Sequence, residues 1–81
     1  MYLKTLGANK TELDLGNGRR ILVSYSTAVA ERVITELGAI FYVTEAFHSR
    51  TTSRHIKSWC PVDDAIKQPQ DYFDNLLSEV R

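Results

Sequence analysis

Apolar and polar residues alternate along the first half of the chain, and this alternation predicts short β-strands with one buried side. In the segment from Thr11 to Leu15, Leu13 and Leu15 fall on one side and two acidic residues fall on the other. The segment from Tyr2 to Leu6 has a similar pattern, and a turn separates the two segments. Gly16-Asn17-Gly18 tolerates positive φ and leads into an apolar run, so we predict a β-hairpin at this point.

The segment from Thr27 to Gly38 fits two structures. Its apolar residues recur at helical spacing between a Thr and a Gly that suit the two ends of a helix. The alternative is a strand that turns into the β-favouring run from Ile40 to Thr44, because a neighbouring strand satisfies the backbone of that run locally. We favour this second hairpin over the helix.

Two helices are predicted in the second half of the chain. The first begins near Thr51 or Thr52, whose hydroxyls suit the first turn of a helix, and it ends at Cys60, which a proline follows. The second runs from Asp71 to Val80, with a proline just before it, acidic residues at its positive end and an apolar stripe along one side.

Together these elements predict a single α+β domain over residues 1–81. We expect an antiparallel sheet of four or five strands with the two C-terminal helices packed on one face of it. No run approaches the roughly eighteen apolar residues that a membrane span needs. Because the single Cys60 cannot form an internal disulfide, we expect a cytoplasmic protein.

Acidic and basic residues balance to a net charge of zero, which argues against nucleic-acid binding through bulk charge. Their distribution is uneven. The segment from Glu45 to Lys57 has three basic residues and one acidic residue, a net charge of +2, and the segment from Pro61 to Arg81 has two basic and five acidic residues, a net charge of −3. The simplest expectation is that these two segments face each other in the fold.

The stretch from Ser49 to Trp59, with the sequence SRTTSRHIKSW, carries the candidate binding site. It places hydroxyls, cations and an imidazole around a helix start, where free N–H groups and the helix dipole attract anions. The candidate residues for binding a protein or an anion are Ser49, Arg50, Thr51, Thr52, Ser53, Arg54, His55 and Lys57. The alternative is that the hydroxyls cap the helix and bind no ligand.

Residues suited to catalysis or metal binding do not form a recognisable motif. His48, His55 and Cys60 lack the fourth ligand and the close pairing of a zinc site. Ser53 and Ser58 lie near His55 in the sequence without a nucleophile turn or a glycine-rich oxyanion loop. We therefore expect a protein that is not an enzyme and that uses no cofactor and no metal.

Two motifs resemble a known family. Residues Ser24–Ala30, SYSTAVA, and Thr51–His55, TTSRH, resemble a widespread family of small phage and prophage proteins of uncharacterised function, in which an SY-x-T-x-VA strand precedes a TTS-[RK]-H helix start. The resemblance covers most of Ile21 to Trp59, and Ala28 stands where many of these proteins have proline. It implies a phage accessory protein in the cytoplasm of the infected bacterial host, and it favours the hairpin at Thr27 to Gly38.

The expected function is a phage-encoded, non-enzymatic binding module that engages a host protein or an anti-phage-defence protein and alters its activity. One alternative is a small nucleic-acid-binding or regulatory protein that uses the cationic helix start at residues 50–57. Another is a homo-oligomeric phage structural or assembly protein, because exposed sheet edges can pair with a second copy.

Overall fold

The computed structural model describes residues 2–79. Within them the chain forms six β-strands and two α-helices, joined by short turns and one 3-10 turn at Val62–Asp64. The elements are β1 Tyr2–Gly7, β2 Lys10–Gly16, β3 Arg19–Ser24, β4 Thr27–Thr35, β5 Gly38–Thr44, α1 Arg50–Trp59, β6 Ile66–Gln68 and α2 Gln70–Glu79. Val80, the last residue of the second predicted helix, lies outside the described residues.

All six strands belong to one sheet, in which they follow their order in the sequence. Strands β1 to β5 form an antiparallel meander, and β6 pairs parallel to β5 after α1 has carried the chain across one face. The α+β class is confirmed, but the sheet is mixed and has six strands, whereas we expected an antiparallel sheet of four or five. Strand β6 has only three residues, and so short a segment shows no alternation to detect.

Both predicted hairpins are present. Gly16, Asn17 and Gly18 all have positive φ in the turn from β2 to β3, and the segment from Thr27 to Gly38 forms β4 and the turn into β5. The sequence pattern of β4 fits a helix as well as a strand for two reasons. A bulge interrupts its pairing with β3, and its centre, Ala28 to Glu31, is fully buried. A strand covered on both faces loses the alternation that identifies strands in a sequence.

The two helices lie on opposite faces of the sheet, so the prediction that both pack on one face is wrong. Ile21 belongs to the cluster that packs against Phe73 of α2, and its neighbour Leu22 belongs to the cluster that packs against Trp59 of α1. Adjacent residues of a strand point to opposite faces. We call the two sides the α1 face and the α2 face. Each helix covers one side of the central strands, which carry apolar side chains on both sides.

A helix long and apolar enough to cross a membrane does not occur in residues 2–79.

Candidate functional site

Ser49 caps the first turn of α1. Its hydroxyl accepts a hydrogen bond from the backbone N–H of Thr52 at 3.0 Å, and its own backbone is extended. The helix therefore begins at Arg50, one or two residues before the predicted start. Capping by a Ser side chain satisfies one of the free N–H groups that would otherwise be offered to an anion. The cap thus belongs to the fold, but the capping residue is Ser49, whereas the sequence suggested Thr51, Thr52 or Ser53.

A buried group of hydroxyls and an imidazole joins α1 to the end of β3. The Oγ of Ser24 lies 3.0 Å from Oγ1 of Thr52 and 2.8 Å from Nδ1 of His55. Ser49 donates to the same Thr52 hydroxyl at 3.2 Å. Because Ser24 is only 2% exposed and Thr52 is also buried, these hydrogen bonds fix the position of the helix on the sheet.

Ser24 and His55 have the hydrogen-bonded geometry of a nucleophile and its base. The environment does not match that chemistry. The Ser24 side chain is enclosed between β3 and α1, and in the described part of the chain no carboxylate bonds to the His55 ring to orient it. Tyr25 lies against the same imidazole, with its ring centroid 6.2 Å away. The pair therefore works as a polar contact between helix and sheet.

The outward face of α1 carries three cations. At 3.6 residues per turn, Arg50, Arg54 and Lys57 fall within an arc of about 60° on the helix, and all three side chains are exposed. Across the described residues, the ion pairs of the protein use Arg19 and Arg20 and none of these three. We call these three residues the cationic stripe. Thr51 is exposed beside the stripe, and Ser53 is half-buried at its edge.

The first cation of the stripe, Arg50, lies at an unfavourable position in its own helix, whereas Lys57 lies in the last turn, where a cation is favourable. The first turn of α1 contains no acidic residue, and Arg50 is its first residue, at the end where the helix dipole is positive. A charge of the unfavourable sign at a helix end costs about 0.3 to 1 kcal/mol. Residues that break a local rule without a compensating contact in the fold are candidates for binding an external group.

The fold places the charges of the two helices on opposite faces of the sheet. Helix α1 has three basic residues and no acidic one, and α2, on the other face, has three acidic residues and no basic one. Our expectation that the cationic and acidic segments face each other is therefore wrong for the acidic residues of α2, because the sheet lies between the two helices. The other two acidic residues of that segment, Asp63 and Asp64, belong to the 3-10 turn, whose Val62 packs on the α1 face. The two helices therefore carry net charges of opposite sign on opposite faces of the sheet.

A groove runs beside α1 on the same face of the sheet. Its volume is about 230 Å³, its floor includes Val43, Ile56 and Val62, and Lys57 and Lys67 lie along its sides. Phe47 is 76% exposed at its rim. The sequence did not identify Phe47 and Lys67 as site residues, because each reaches the groove from a different segment of the chain.

Comparison with known proteins identifies the family of this chain. The model of a family of unknown function, DUF8033, matches residues 1–75. This chain belongs to DUF8033. The match spans both the hydroxyl group and the cationic stripe. No curated protein matches the chain, and no solved structure matches it. The function of this DUF8033 protein therefore has to be argued from its geometry.

The soft metal ligands of the DUF8033 chain lie apart. His48 bonds through Nε2 to the side chain of Gln70 at 2.8 Å, His55 bonds to Ser24, and Cys60 is buried in the core of the α1 face. In the part of the chain that the structure describes, no group of three or more His, Cys, Asp or Glu side chains is placed to hold a metal ion.

Cys60 is expected to be unreactive in the folded DUF8033 protein. Burial raises the pKa of its thiol from the ordinary 9.0 to about 11, which disfavours the nucleophilic thiolate. At pH 8, alkylation by iodoacetamide is expected to be at least about 100-fold slower in the folded protein than in the urea-unfolded chain, as two pKa units imply. Similar rates in the two states would show that the thiol is open to solvent.

The raised pKa of Cys60 also makes stability depend on pH, because the folded state favours the neutral thiol. This preference stabilises the folded protein fully below pH 9, and the stabilisation is lost as the pH rises towards 11.

Proposed function

We propose that this protein is a non-enzymatic binding module that engages an acidic surface of a protein partner through the cationic stripe of α1. The observation that supports it most directly is that Arg50, Arg54 and Lys57 face solvent together with no acidic partner within the described chain. In this proposal the partner is a host or anti-phage-defence protein of the infected bacterium, and binding alters its activity.

The chemistry of the stripe suits carboxylates. An arginine presents a planar fork of N–H donors that can bind both oxygens of one carboxylate, and such charge-assisted hydrogen bonds are about twice as strong as neutral ones. Arg50 and Arg54 are four residues apart and therefore neighbours on the helix surface. Two acidic side chains at similar spacing on a partner helix would meet both guanidinium groups.

The helix presents these groups from a fixed position. The hydrogen bonds of Ser24, Thr52 and His55 hold its first half on the sheet, and Trp59 anchors its end by donating its indole N–H to Glu12 at 2.9 Å. A surface that is already ordered loses little conformational entropy when a partner binds. The arrangement therefore favours recognition by a rigid convex helix.

Replacing both Arg50 and Arg54 by alanine is expected to weaken partner binding at least about tenfold, since each lost charge-assisted hydrogen bond is worth more than 1 kcal/mol. The tagged protein and the R50A/R54A variant are used as bait in nuclease-treated bacterial lysate, and the recovered proteins are quantified by mass spectrometry. Affinity for the recovered partner is then measured with both purified proteins.

A matched pair of single variants tests whether the position of the cation matters, or only the loss of one positive charge. Arg54→Ala and Lys4→Ala each remove one exposed cation, the first from α1 and the second from β1. Only the first is expected to lower the affinity. A stoichiometric partner that binds R50A/R54A as tightly as it binds the unchanged protein would disprove the proposed surface.

Nucleic acid is the second candidate partner, because further groups suited to it lie next to the stripe. Lys10 bonds to Ser58 on the flank of α1, and Tyr25 exposes about half of its ring against His55. Single strands bind to such combinations of cations and aromatic rings. Binding through three cations would give a slope of log K against log salt of about −2 to −3. Fluorescence anisotropy with labelled single-stranded DNA tests this, and the absence of binding at low salt would discard it.

A further inference from the structure

The tip of the β4–β5 hairpin is apolar and uncovered. Leu37 is fully exposed there, and Ile34 and Ile40 are exposed on opposite faces of the two strands just below it. Neither core cluster includes any of these three residues. Leu37 therefore contributes nothing to the packing of its own chain, and its whole side chain is open to contact with another molecule.

One edge of this hairpin also has free hydrogen-bonding groups. Strand β6 pairs with β5 only at Tyr42, Val43 and Thr44, so the first half of β5, Gly38 to Phe41, has no strand on its outer side among the described residues. That half contains neither proline nor a charged residue. Proteins commonly place such residues on an edge to prevent pairing with other chains, and here they are missing.

The groove beside α1 has the complementary chemistry. Its floor is apolar. The charged residues that line it are two lysines, Lys57 and Lys67, and one acidic residue, Glu45. A suitable occupant is an apolar side chain next to a carboxylate. Among the exposed large apolar residues of the described chain, Leu37 is the one that directly neighbours an acidic residue, Glu36.

We propose that the Glu36–Leu37 tip of one copy docks into the α1 groove of a second copy. Leu37 packs on the apolar floor, and the carboxylate of Glu36 lies between Lys57 and Lys67. Two reciprocal contacts of this kind would close a two-fold symmetric dimer. This contact goes beyond the proposed binding of a partner protein, although Lys57 belongs to both surfaces.

Sedimentation velocity over a wide range of protein concentration tests the contact. The unchanged protein is expected to shift from monomer towards dimer as its concentration rises. Leu37→Ser and Glu36→Lys are each expected to weaken this association at least about tenfold. At concentrations where the protein is monomeric, neither is expected to change the melting temperature, because both side chains are exposed. Leu3→Ser removes an exposed leucine from β1 and is expected to leave the association unchanged.

A charge exchange makes the test specific. Combining Glu36→Lys with Lys67→Glu is expected to restore the association that either change alone weakens. A monomer at every concentration would overturn the proposal, and so would a dimer that Leu37→Ser leaves intact. The R50A/R54A variant keeps both docking elements and is expected to self-associate normally. Loss of partner binding and loss of self-association are therefore separate results.

Discussion

Replacing Arg19 with alanine is expected to lower the free energy of unfolding by about 3 kcal/mol, because it leaves a buried carboxylate without its counter-ion. Glu31 lies in the fully buried centre of β4 with 0% of its side chain exposed. The Nε and Nη2 atoms of Arg19 both donate to its Oε2, at 2.9 and 2.8 Å. The Tyr72 hydroxyl of α2 donates to the other oxygen. Burial and this hydrogen bond raise the pKa of Tyr72, so its phenol remains a donor.

Arg20 provides the matched control for Arg19. It follows Arg19 in β3 and points to the other face, where its nearest acidic oxygens are 3.4 Å away on Glu12 and 3.5 Å away on Asp14. The two arginines are similarly exposed, but Glu12 keeps 13% and Asp14 33% of its side chain exposed, so Arg20→Ala leaves no fully buried carboxylate unpaired and is expected to cost about 1 kcal/mol. Urea unfolding of Arg19→Ala and Arg20→Ala is therefore expected to give clearly different losses. Equal losses would mean that water reaches Glu31 and that the burial of its charge does not decide stability.

Replacing Phe73 with alanine is expected to cost about 3 to 5 kcal/mol, the range for truncating a fully buried aromatic side chain. Phe73 is 0% exposed and packs beneath α2 against Leu13, Ile21 and Ala28. Its ring also meets that of Tyr72 edge to face, with centroids 5.0 Å apart. The loss is a large share of the 5 to 15 kcal/mol typical of a whole domain. Leu77→Ala, at a half-buried position of the same helix, is expected to cost less.

Trp59 shows whether the two faces unfold together. It is the single tryptophan of the chain and lies on the α1 face, across the sheet from Phe73. If the sheet couples the faces, tryptophan fluorescence and far-UV circular dichroism of Phe73→Ala shift to lower urea by the same amount. A fluorescence transition that stays in place while the helical signal falls would show that α2 detaches independently.

The sequence identified the hairpins because each depends on neighbouring residues. The turn at Gly16 to Gly18 needs only its own φ values, and the pairing that follows brings together residues close in the chain. Which face of the sheet each helix covers does not depend on neighbouring residues in this way. The runs Ile21 to Val23 and Ala28 to Ala30 offer apolar side chains to both sides of the sheet, so the sequence pattern alone does not assign a helix to either side.

In the candidate site, too, the features that depend on neighbouring residues were visible in the sequence, and those that depend on distant residues were not. The cations of α1 were visible in the sequence because helical spacing alone places Arg50, Arg54 and Lys57 together. Ser24 could not be connected with His55, because the contact joins residues thirty-one positions apart. A serine directly after the apolar run from Ile21 to Val23 was the available signal. The groove was missed for a similar reason, since β5, α1 and β6 meet there only after the chain has folded.

The opposite placement of the two helices has a kinetic consequence. Packed layers are about 10 Å apart, so α1 and α2 are separated by roughly 20 Å, more than twice the Debye length of about 8 Å at physiological ionic strength. An acidic molecule that approaches from the α1 side is attracted by three cations, and one that approaches from the other side meets the three acids of α2. For the proposed acidic partner, diffusional encounters are therefore expected to be oriented before any contact forms, and added salt is expected to slow the association rate while hardly changing the dissociation rate.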